Sequence, residues 1–327
     1  MVPIGITRDG AFTLASANPD DYVLTAGALP EVEDNGTRIH WPESVLTREL
    51  WVSGDGSDRS LGQIDVVFPI LHGPYGEDGT IQGMLDILGL PFVGSGVLAS
   101  SLGMDKHFTK TVLQAAGIPV APWRTVKRYD WRTRPQAVMA MAEQMTLPVF
   151  VKPARAGSSV GVSKVSDWSQ LSAALDNAFN EDDHVLVEAG MAGREVECAV
   201  LQGYPGAPSR ASVGGEIVVS GREFYDFEAK YLDAPGIDLV CPAVLSNDEL
   251  AELQRLSIRA FDAINGAGLA RVDFFLTAEG FVLNEINTMP GFTPISMFPR
   301  CWQASGLSYA ELIDELIHVA LAHHAAD

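Results

Sequence analysis

Cysteine is scarce in the 327-residue sequence: Cys198, Cys241 and Cys301 are the three present, and their spacing is not that of a disulfide framework or a zinc site. Such low cysteine usage fits the reducing cytosol. The sequence also has no apolar run long enough to cross a bilayer and no basic, apolar leader at its start. We therefore expect a cytoplasmic protein that has no membrane partner.

Basic residues are scarce as well. The sequence has 22 Lys and Arg against 42 Asp and Glu, which gives a formal net charge of −20. Such a surface repels phosphate backbones, so nucleic acid is not expected as a partner. An anionic small molecule would need a local group of cations, which makes each Lys or Arg in an apolar segment informative. Hydrophobic residues make up 47% of the chain, enough for globular units with buried cores.

The phosphate-binding motif GxxxxGK[ST] does not occur, so the P-loop cradle of kinase-like enzymes is not expected. A different glycine-containing stretch starts at Phe150 and reads FVKPARAGSSVGVSKV. Apolar, β-branched residues on both sides of it predict a strand, a loop and a second strand. The loop, which includes Gly157, Ser158 and Ser159, is either a flexible hairpin tip or a cover for nucleotide phosphates.

Four polar side chains occur in an otherwise apolar segment, LARVDFFLTAEGFVLNEIN, which predicts a β-hairpin. If AEG is a three-residue loop, Asp273 lies opposite Glu285. Arg271 then lies opposite Asn287, and the period-two alternation of strands brings all four side chains to one face. Two carboxylates and an amide oxygen suit Mg²⁺, whereas solvated surface charge is the alternative. The convergence of these groups in apolar strands favours the metal site.

Three lysines lie at the edges of predicted elements, beside glycine or aromatic residues: Lys106, Lys152 and Lys230. A single lysine is usually solvated, but three of them beside a Mg²⁺ hairpin would match the charge of a triphosphate. The loop ILHGPYGEDGTIQG precedes a predicted helix, and its Asp78 either caps that helix or contributes to a ligand site. The segment EFYDFEAKYLD is predicted to be a loop that closes over a site.

These stretches together resemble the D-alanine–D-alanine ligases of the ATP-grasp superfamily. They follow the family's order and spacing from about residue 64 to the end: HGPYGEDGTIQG, MDK, VKPARAGSSVGVSKV, FYDFEAKYL, ARVDFF and NEINTMPGFTPIS. The resemblance implies an incomplete α/β N-terminal domain of the preATP-grasp type over residues 1–104. It also implies two α+β ATP-grasp units that clamp ATP. These are a central unit over residues 105–187 and a C-terminal unit, with the metal and substrate sites, over residues 188–327.

The resemblance also implies which residues form the site. Those expected to bind ATP are Lys106, Lys152, Gly157, Ser158, Ser159, Glu188, Ala189, Met191, Glu195 and Lys230. Two Mg²⁺ ions, which Mn²⁺ could replace, would be held by Asp273, Glu285 and Asn287. Residues expected at the substrates are His72, Ser158, Tyr231, Arg271, Gly291 and Ser296. Of these, Arg271 and the Gly291 N–H would stabilise a tetrahedral oxyanion, and Ser296 would meet the carboxylate of the second D-alanine.

The implied activity is ATP-dependent ligation of two D-alanines through an acylphosphate, which supplies the dipeptide for peptidoglycan. A ligase that uses D-lactate or D-serine is the first alternative, and Tyr231 argues against it. The second is a truncated ATP-binding protein without ligase activity, because the family's opening GGxSxEHxVS-type loop has no counterpart in MVPIGITRDGAF. The family also implies a possible homodimer, with ATP and D-alanine as small-molecule partners.

Overall fold

The computed structural model describes residues 1–18, 21, 31–54, 56, 58–157, 160–219 and 237–326. The chain divides into two compact units. The first consists of Met1–Val67 and Met84–Pro91, and the second of Phe68–Gly83 and Phe92–Asp327. Among the described residues, no helix is both long and apolar enough to cross a membrane. The three-domain division inferred from the sequence stays a prediction.

The described strands of the first unit are short and antiparallel. They are β1 (Ile4–Ile6), β2 (Phe12–Leu14), β3 (Arg38–His40), β4 (Glu49–Ser53) and β5 (Arg59–Gln63). Strand β1 pairs with β2, and β4 lies between β3 and β5. Buried side chains of Ile39, Leu50 and Val52 form a small core. An α/β domain is expected to have parallel strands joined by helices, so the described part of this unit differs from that expectation.

The apolar, β-branched run IDVVFPI is typical of a strand, but residues 64–70, which are fully described, contain no strand. The amide of Ile64 donates to the carbonyl of Arg48, and the amide of Val67 donates to the carbonyl of Pro91, both over 2.8 Å. A run of β-branched residues forms a strand only where a neighbour supplies a row of backbone partners.

Three helices follow along the chain: α1 (Thr80–Ile87), α2 (Val97–Met104) and α3 (Lys106–Ala115). The apolar spacing from Leu98 to Gly117 predicts one continuous helix, but Asp105 interrupts it. The Asp105 carboxylate accepts hydrogen bonds from the amides of His107 (3.0 Å) and Phe108 (3.3 Å), and so caps α3. Gly117 follows the end of α3 with a φ of +72°, as expected for a helix-terminating glycine.

Four of the described strands form an antiparallel sheet in the order β6-β9-β7-β8. Their bounds are Trp123–Lys127 (β6), Val149–Pro153 (β7), Ser163–Val165 (β8) and His184–Ala189 (β9). Three helices belong to the same region: α4 (Arg128–Thr133), α5 (Pro135–Ala142) and α6 (Leu171–Ala178). Val149 and Val151 of β7 share a buried core with Leu171 and Leu175 of α6. The turn before α6 is capped by Asp167, whose side chain accepts from the amide of Ser169.

A second antiparallel sheet has the described order β12-β11-β10-β13-β14. Its strands are β10 (Arg194–Leu201), β11 (Arg210–Val219), β12 (Ile237–Val240), β13 (Leu269–Thr277) and β14 (Gly280–Asn287). The helices of this part are α7 (Asn247–Ala263), α8 (Met297–Ala304) and α9 (Tyr309–His324). The start of β10 alternates polar and apolar residues, which is typical of a strand with one exposed face, but every residue from Val196 to Leu201 is buried. The reason is its central position, where both α7 and α8 contact it.

The β13–β14 hairpin has the register that the sequence predicts at its functional end. Asp273 lies opposite Glu285, and Arg271 lies opposite Asn287. The route to this register differs from the prediction: Thr277 pairs with Gly280, so the loop has two residues instead of three. A register shift between Asp273 and Phe274 restores the expected pairs.

Candidate active site

Three predicted site residues form one hydrogen-bonded group on the β13–β14 hairpin. Arg271 donates from Nε to Asp273 Oδ1 and from Nη2 to Asp273 Oδ2, both over 2.8 Å. Asn287 Nδ2 donates to the same Oδ2 over 3.0 Å. The hairpin register therefore places one guanidinium where it donates to both oxygens of one carboxylate.

The neighbouring strand β10 adds a second acid to this group. Arg271 Nε lies 3.2 Å from Glu197 Oε2, and Glu197 pairs across the sheet with Asp273. Burial alone would lower the pKa of Arg271, but the charges of Asp273 and Glu197 outweigh burial and raise this pKa well above its ordinary value. Arg271 is therefore a permanent cation whose position is set by two carboxylates.

The donor set on this face fits a hard divalent cation. Among the described residues, no three His, Cys, Asp or Glu side chains form a metal-binding group, and the predicted set instead combines two carboxylates with one amide. Asp273 Oδ2 accepts from both Arg271 and Asn287, and Oδ1 accepts from Arg271, so the carboxylate is held in one orientation. Asn287 uses its Nδ2 on Asp273, which directs its Oδ1 elsewhere as an acceptor. Carboxylate and amide oxygens are the ligands that Mg²⁺ prefers.

Lys106 connects the start of α3 with the glycine-containing loop after β7. Its amide donates to the carbonyl of Ala154 over 3.0 Å, and its Nζ donates to the carbonyl of Ala156 over 2.6 Å. Gly157, the next residue, is exposed. The Lys106 ammonium therefore lies where the predicted phosphate loop begins.

Glu188 on β9 is buried between two lysines. Lys152 Nζ on β7 donates to Glu188 Oε1 over 2.9 Å, and Lys110 Nζ on α3 lies 3.1 Å from Glu188 Oε2. Burial would raise the pKa of the Glu188 carboxyl, but the charges of Lys152 and Lys110 outweigh it and lower the pKa. Three elements thus meet at one carboxylate, and the direction of the Lys152 side chain is fixed by it.

Lys110 was missed by the sequence reasoning. Its side chain is 1% exposed, and burial lowers its pKa although the carboxylate of Glu188 opposes that shift. The signal was present: Lys110 is four residues after Lys106, which places both lysines on one face of a helix. The charge of Glu285 also contributes to the pKa shifts of Lys110, Arg271 and Glu77.

The loop before α1 lies against the segment that follows β14. His72 Nδ1 is 3.1 Å from the carbonyl oxygen of Met289, and the Glu77 carboxylate accepts a 2.7 Å hydrogen bond from the amide of Gly73. Burial raises the pKa of Glu77. Asp78 accepts from the amides of Tyr75 (2.8 Å) and Thr80 (3.0 Å). These contacts match the helix-capping alternative for Asp78.

The turn after β14 brings Gly291 close to Ser296. A Cβ at position 291 would lie 3.1 Å from Ser296 Oγ, so a side chain there would crowd this hydroxyl. Ser296 Oγ accepts from the amide of Thr293 over 3.1 Å and lies 2.8 Å from Thr293 Oγ1. Ser296 directly precedes α8, which places its hydroxyl near the amide-rich start of a helix.

The remaining expected residues fall into two groups. Ala189 ends β9, Glu195 lies in β10, and Met191 lies in the connection between these strands. Four residues lie outside the described part of the chain, so their contacts stay predictions: Ser158, Ser159, Lys230 and Tyr231. The segment EFYDFEAKYLD, predicted to close over the site, lies outside it as well.

Comparison with known proteins identifies the family. Residues 112–318 match the family described as D-ala D-ala ligase C-terminus, and residues 1–95 match the D-ala D-ala ligase N-terminus. The chain belongs to the D-alanine–D-alanine ligase family. One relative in this family, the D-alanine–D-alanine ligase of Paenarthrobacter aurescens (strain TC1), is 49% identical over 325 residues, which are 98% of this chain and 86% of that protein.

Solved structures of D-alanine–D-alanine ligases and their sister enzymes are also similar. The D-alanine–D-alanine ligase from Coxiella burnetii has a TM-score of 0.78 and 34% identity, and the match covers 99% of this chain and 84% of that one. The VanG D-Ala:D-Ser ligase from Enterococcus faecalis has a TM-score of 0.82 and 32% identity, with 98% and 89% covered. The family predicted from the motifs is confirmed, and with it an N-terminal domain followed by an ATP-grasp fold.

Proposed function

We propose that the chain uses ATP to join two D-alanines into D-alanyl-D-alanine, the dipeptide needed for peptidoglycan. Curated relatives that are named for this activity are about half identical to this chain over nearly its whole length. The structural observation that supports it best is the β13–β14 hairpin, which holds the Arg271 cation beside Asp273 and opposite Asn287. A fixed cation beside a set of oxygen ligands is what acyl and phosphoryl transfer both require.

The nucleotide is assigned to the lysine side of the site. Lys106 and Lys152 oppose the negative charge of the phosphates, and the loop at Gly157 covers them through Ser158 and Ser159. Glu188 holds Lys152 in place, so the ammonium needs no rearrangement to meet an anion. Lys230 is assigned to the γ-phosphate. The adenosine is assigned to the end of β9 and the start of β10, at Glu188, Ala189, Met191 and Glu195.

The metal is assigned to the hairpin face. Asp273, Glu285 and Asn287 would hold two Mg²⁺ ions, and Mn²⁺ would accept the same hard donors. When bound, such ions neutralise and orient the phosphate oxygens during transfer. Arg271 already neutralises part of the local negative charge, because its Nε and Nη2 both donate to the Asp273 carboxylate.

The chemistry proceeds in two displacements. The carboxylate of the first D-alanine attacks the γ-phosphorus of ATP, which yields an acylphosphate and ADP. The neutral amine of the second D-alanine then attacks the acyl carbon, the tetrahedral oxyanion collapses as the bond to phosphate breaks, and the proton lost by the nitrogen leaves with the phosphate. Arg271 and the Gly291 N–H are assigned to this oxyanion, Ser296 to the second carboxylate, and His72 to the vicinity of the substrates. Tyr231 is assigned to the closing loop, which would keep water from the acylphosphate.

The test is phosphate release by the purified 327-residue chain with ATP and Mg²⁺, with and without D-alanine. Release that depends on D-alanine and yields D-alanyl-D-alanine by mass spectrometry is the expected result. Nucleotide binding without D-alanine-dependent release would instead identify an ATP-binding protein that is not a ligase. The same assay with D-serine or D-lactate beside D-alanine distinguishes a sister ligase, since the mixed product would then predominate. The homodimer that the resemblance implies is tested separately, by sedimentation of the same preparation.

A further inference from the structure

Two of the three cysteines are far apart in the sequence but adjacent in the fold. Cys241 directly follows β12, Cys301 lies in the middle of α8, and their sulfur atoms are 3.7 Å apart. All three cysteines are free thiols. The third, Cys198 on β10, contacts the carbonyl of Ser212 instead (3.7 Å).

The two neighbouring thiols have different surroundings. Cys241 is partly exposed, whereas Cys301 is fully buried. The contact with Cys301 lowers the pKa of Cys241, burial opposes this shift, and the nearby Arg300 adds to it. Arg300 is held at this place, because its Nη2 donates to the carbonyl of Leu239 over 3.0 Å. An accessible thiol beside a cation is the usual setting of a reactive cysteine, since the thiolate is the nucleophile.

We propose that Cys241 and Cys301 form a redox-active pair that a small-molecule disulfide converts into an internal disulfide. The Cys241 thiolate attacks one sulfur of the oxidant and releases one small thiolate, which leaves a mixed disulfide on Cys241. Cys301 then attacks Cys241 Sγ, the second small thiolate leaves, and it takes up the proton of the Cys301 thiol. Two protein thiols are oxidised, and one small-molecule disulfide is reduced to two thiols.

The geometry favours this pair over the other combinations. The sulfur atoms must approach from 3.7 Å to a bond length of about 2.05 Å, a shift that side-chain rotation and a small movement of the segment after β12 can supply. Cys301 is shielded from solvent, so Cys241 is the entry point and Cys301 the resolving thiol. The resulting bond would tie the end of β12 to α8, the helix that starts beside Ser296.

The experiment incubates the full, folded, reduced chain with oxidised glutathione, alkylates the remaining thiols after denaturation, and measures the intact mass and the non-reduced peptides. We expect alkylation to fall from three thiols to one, with Cys241 and Cys301 joined in a single cross-linked peptide. Dithiothreitol should restore three alkylated thiols. Three free thiols after oxidation, a lasting glutathione adduct on Cys241, or a bond to Cys198 would each overturn the proposal.

Single substitutions separate the two roles. Cys301→Ala should accumulate the mixed disulfide on Cys241, because no second thiol can displace glutathione. Cys241→Ser should take up no glutathione, and Cys198→Ala should oxidise like the original chain. An absence of adduct on folded Cys301→Ala would show that Cys241 is not the entry point. The measurement on the unmodified chain decides the proposal even if a variant folds poorly.

Discussion

At the scale of single residues, Arg271 and Glu188 are the two centres of charge. Arg271 contacts the carboxylates of Asp273 and Glu197. The Glu188 carboxylate contacts the ammonium groups of Lys152 and Lys110. Both side chains are more than four-fifths buried. The electrostatic interaction with their partners is therefore stronger than it would be at the surface, because the surrounding protein has a low dielectric constant. Changes at these two places are therefore expected to have effects of different kinds, one on turnover and one on stability.

Replacing Arg271 tests the catalytic side. Lysine keeps the charge but cannot bond both Asp273 oxygens as a planar fork, so Arg271→Lys should lower the rate of D-alanine-dependent phosphate release by about 10²–10³-fold. Equilibrium nucleotide binding should change little, because Arg271 lies on the hairpin side of the site. Arg124→Lys, at an exposed position, is the matched control. An unchanged rate would show that Arg271 does not take part in the reaction.

Replacing Lys110 tests the structural side. Lys110→Met leaves Glu188 Oε2 buried without its cation, so the free energy of unfolding should fall by about 3–5 kcal/mol in urea titrations. The exposed lysine at the end of β6 provides the control, since Lys127→Met should stay within about 0.5 kcal/mol of the original chain. Equal losses in both variants would contradict the importance of the buried pair.

At the scale of elements, the junction between α2 and α3 sets where the lysines lie. Asp105 starts α3 by accepting from two of its first amides, and Lys106 and Lys110 then follow on one face. The same turn of chain carries the bond from Lys106 to Ala156.

The cap can be removed without changing the lysines. Asp105→Ala should lower the free energy of unfolding by about 1 kcal/mol, because two amides at the start of α3 lose their acceptor. Asp105→Ser retains a capping oxygen and should recover most of this loss. The measurement is the urea midpoint of the three proteins. A serine variant as weak as the alanine variant would mean that the carboxylate acts other than as a cap.

How far the sequence predicts these elements depends on where the decisive contacts are made. The hairpin pairs followed from alternation and a short loop, even though the loop is shorter than expected and a bulge makes up the difference. The interruption at Asp105 was missed because the apolar spacing of a helix runs straight through it. Lys110 was missed because its partner, Glu188, is distant in sequence, and no local pattern reports such a contact. Residues 64–70 have the pattern of a strand but form only isolated backbone hydrogen bonds, because a strand needs a row of partners that the local pattern does not report.

At the scale of the whole molecule, acidic residues dominate, and several are bound to cations. Asp182 is such a case: Arg155 Nη2 donates to its Oδ1 over 2.5 Å, and the amide of His184 donates over 3.1 Å. Burial would raise the pKa of Asp182, but these partners outweigh it and lower the pKa. The pKa of Glu188 is lowered in the same way by its lysines.

This gives a prediction for acid stability. A carboxyl whose pKa is lower in the folded chain stabilises the fold at pH values above its ordinary pKa, about 3.9 for Asp. That stability is lost as the pH falls through the folded pKa. The free energy of unfolding should therefore decrease below about pH 4, and Asp182→Asn should flatten this decrease. Urea titrations between pH 3 and pH 6 measure it. Identical slopes in the two proteins would exclude Asp182 as a contributor.

The buried group of Lys110, Lys152 and Glu188 also bears on how the second unit assembles. Each of the three comes from a different element, α3, β7 and β9, and each is costly to bury without the others. Apolar side chains tolerate a helix that slides by a residue, whereas an ammonium displaced from its carboxylate does not. We therefore expect folding intermediates in which α3 packs in a wrong position to be unstable. The ion pairs, rather than apolar packing, then determine the position of α3.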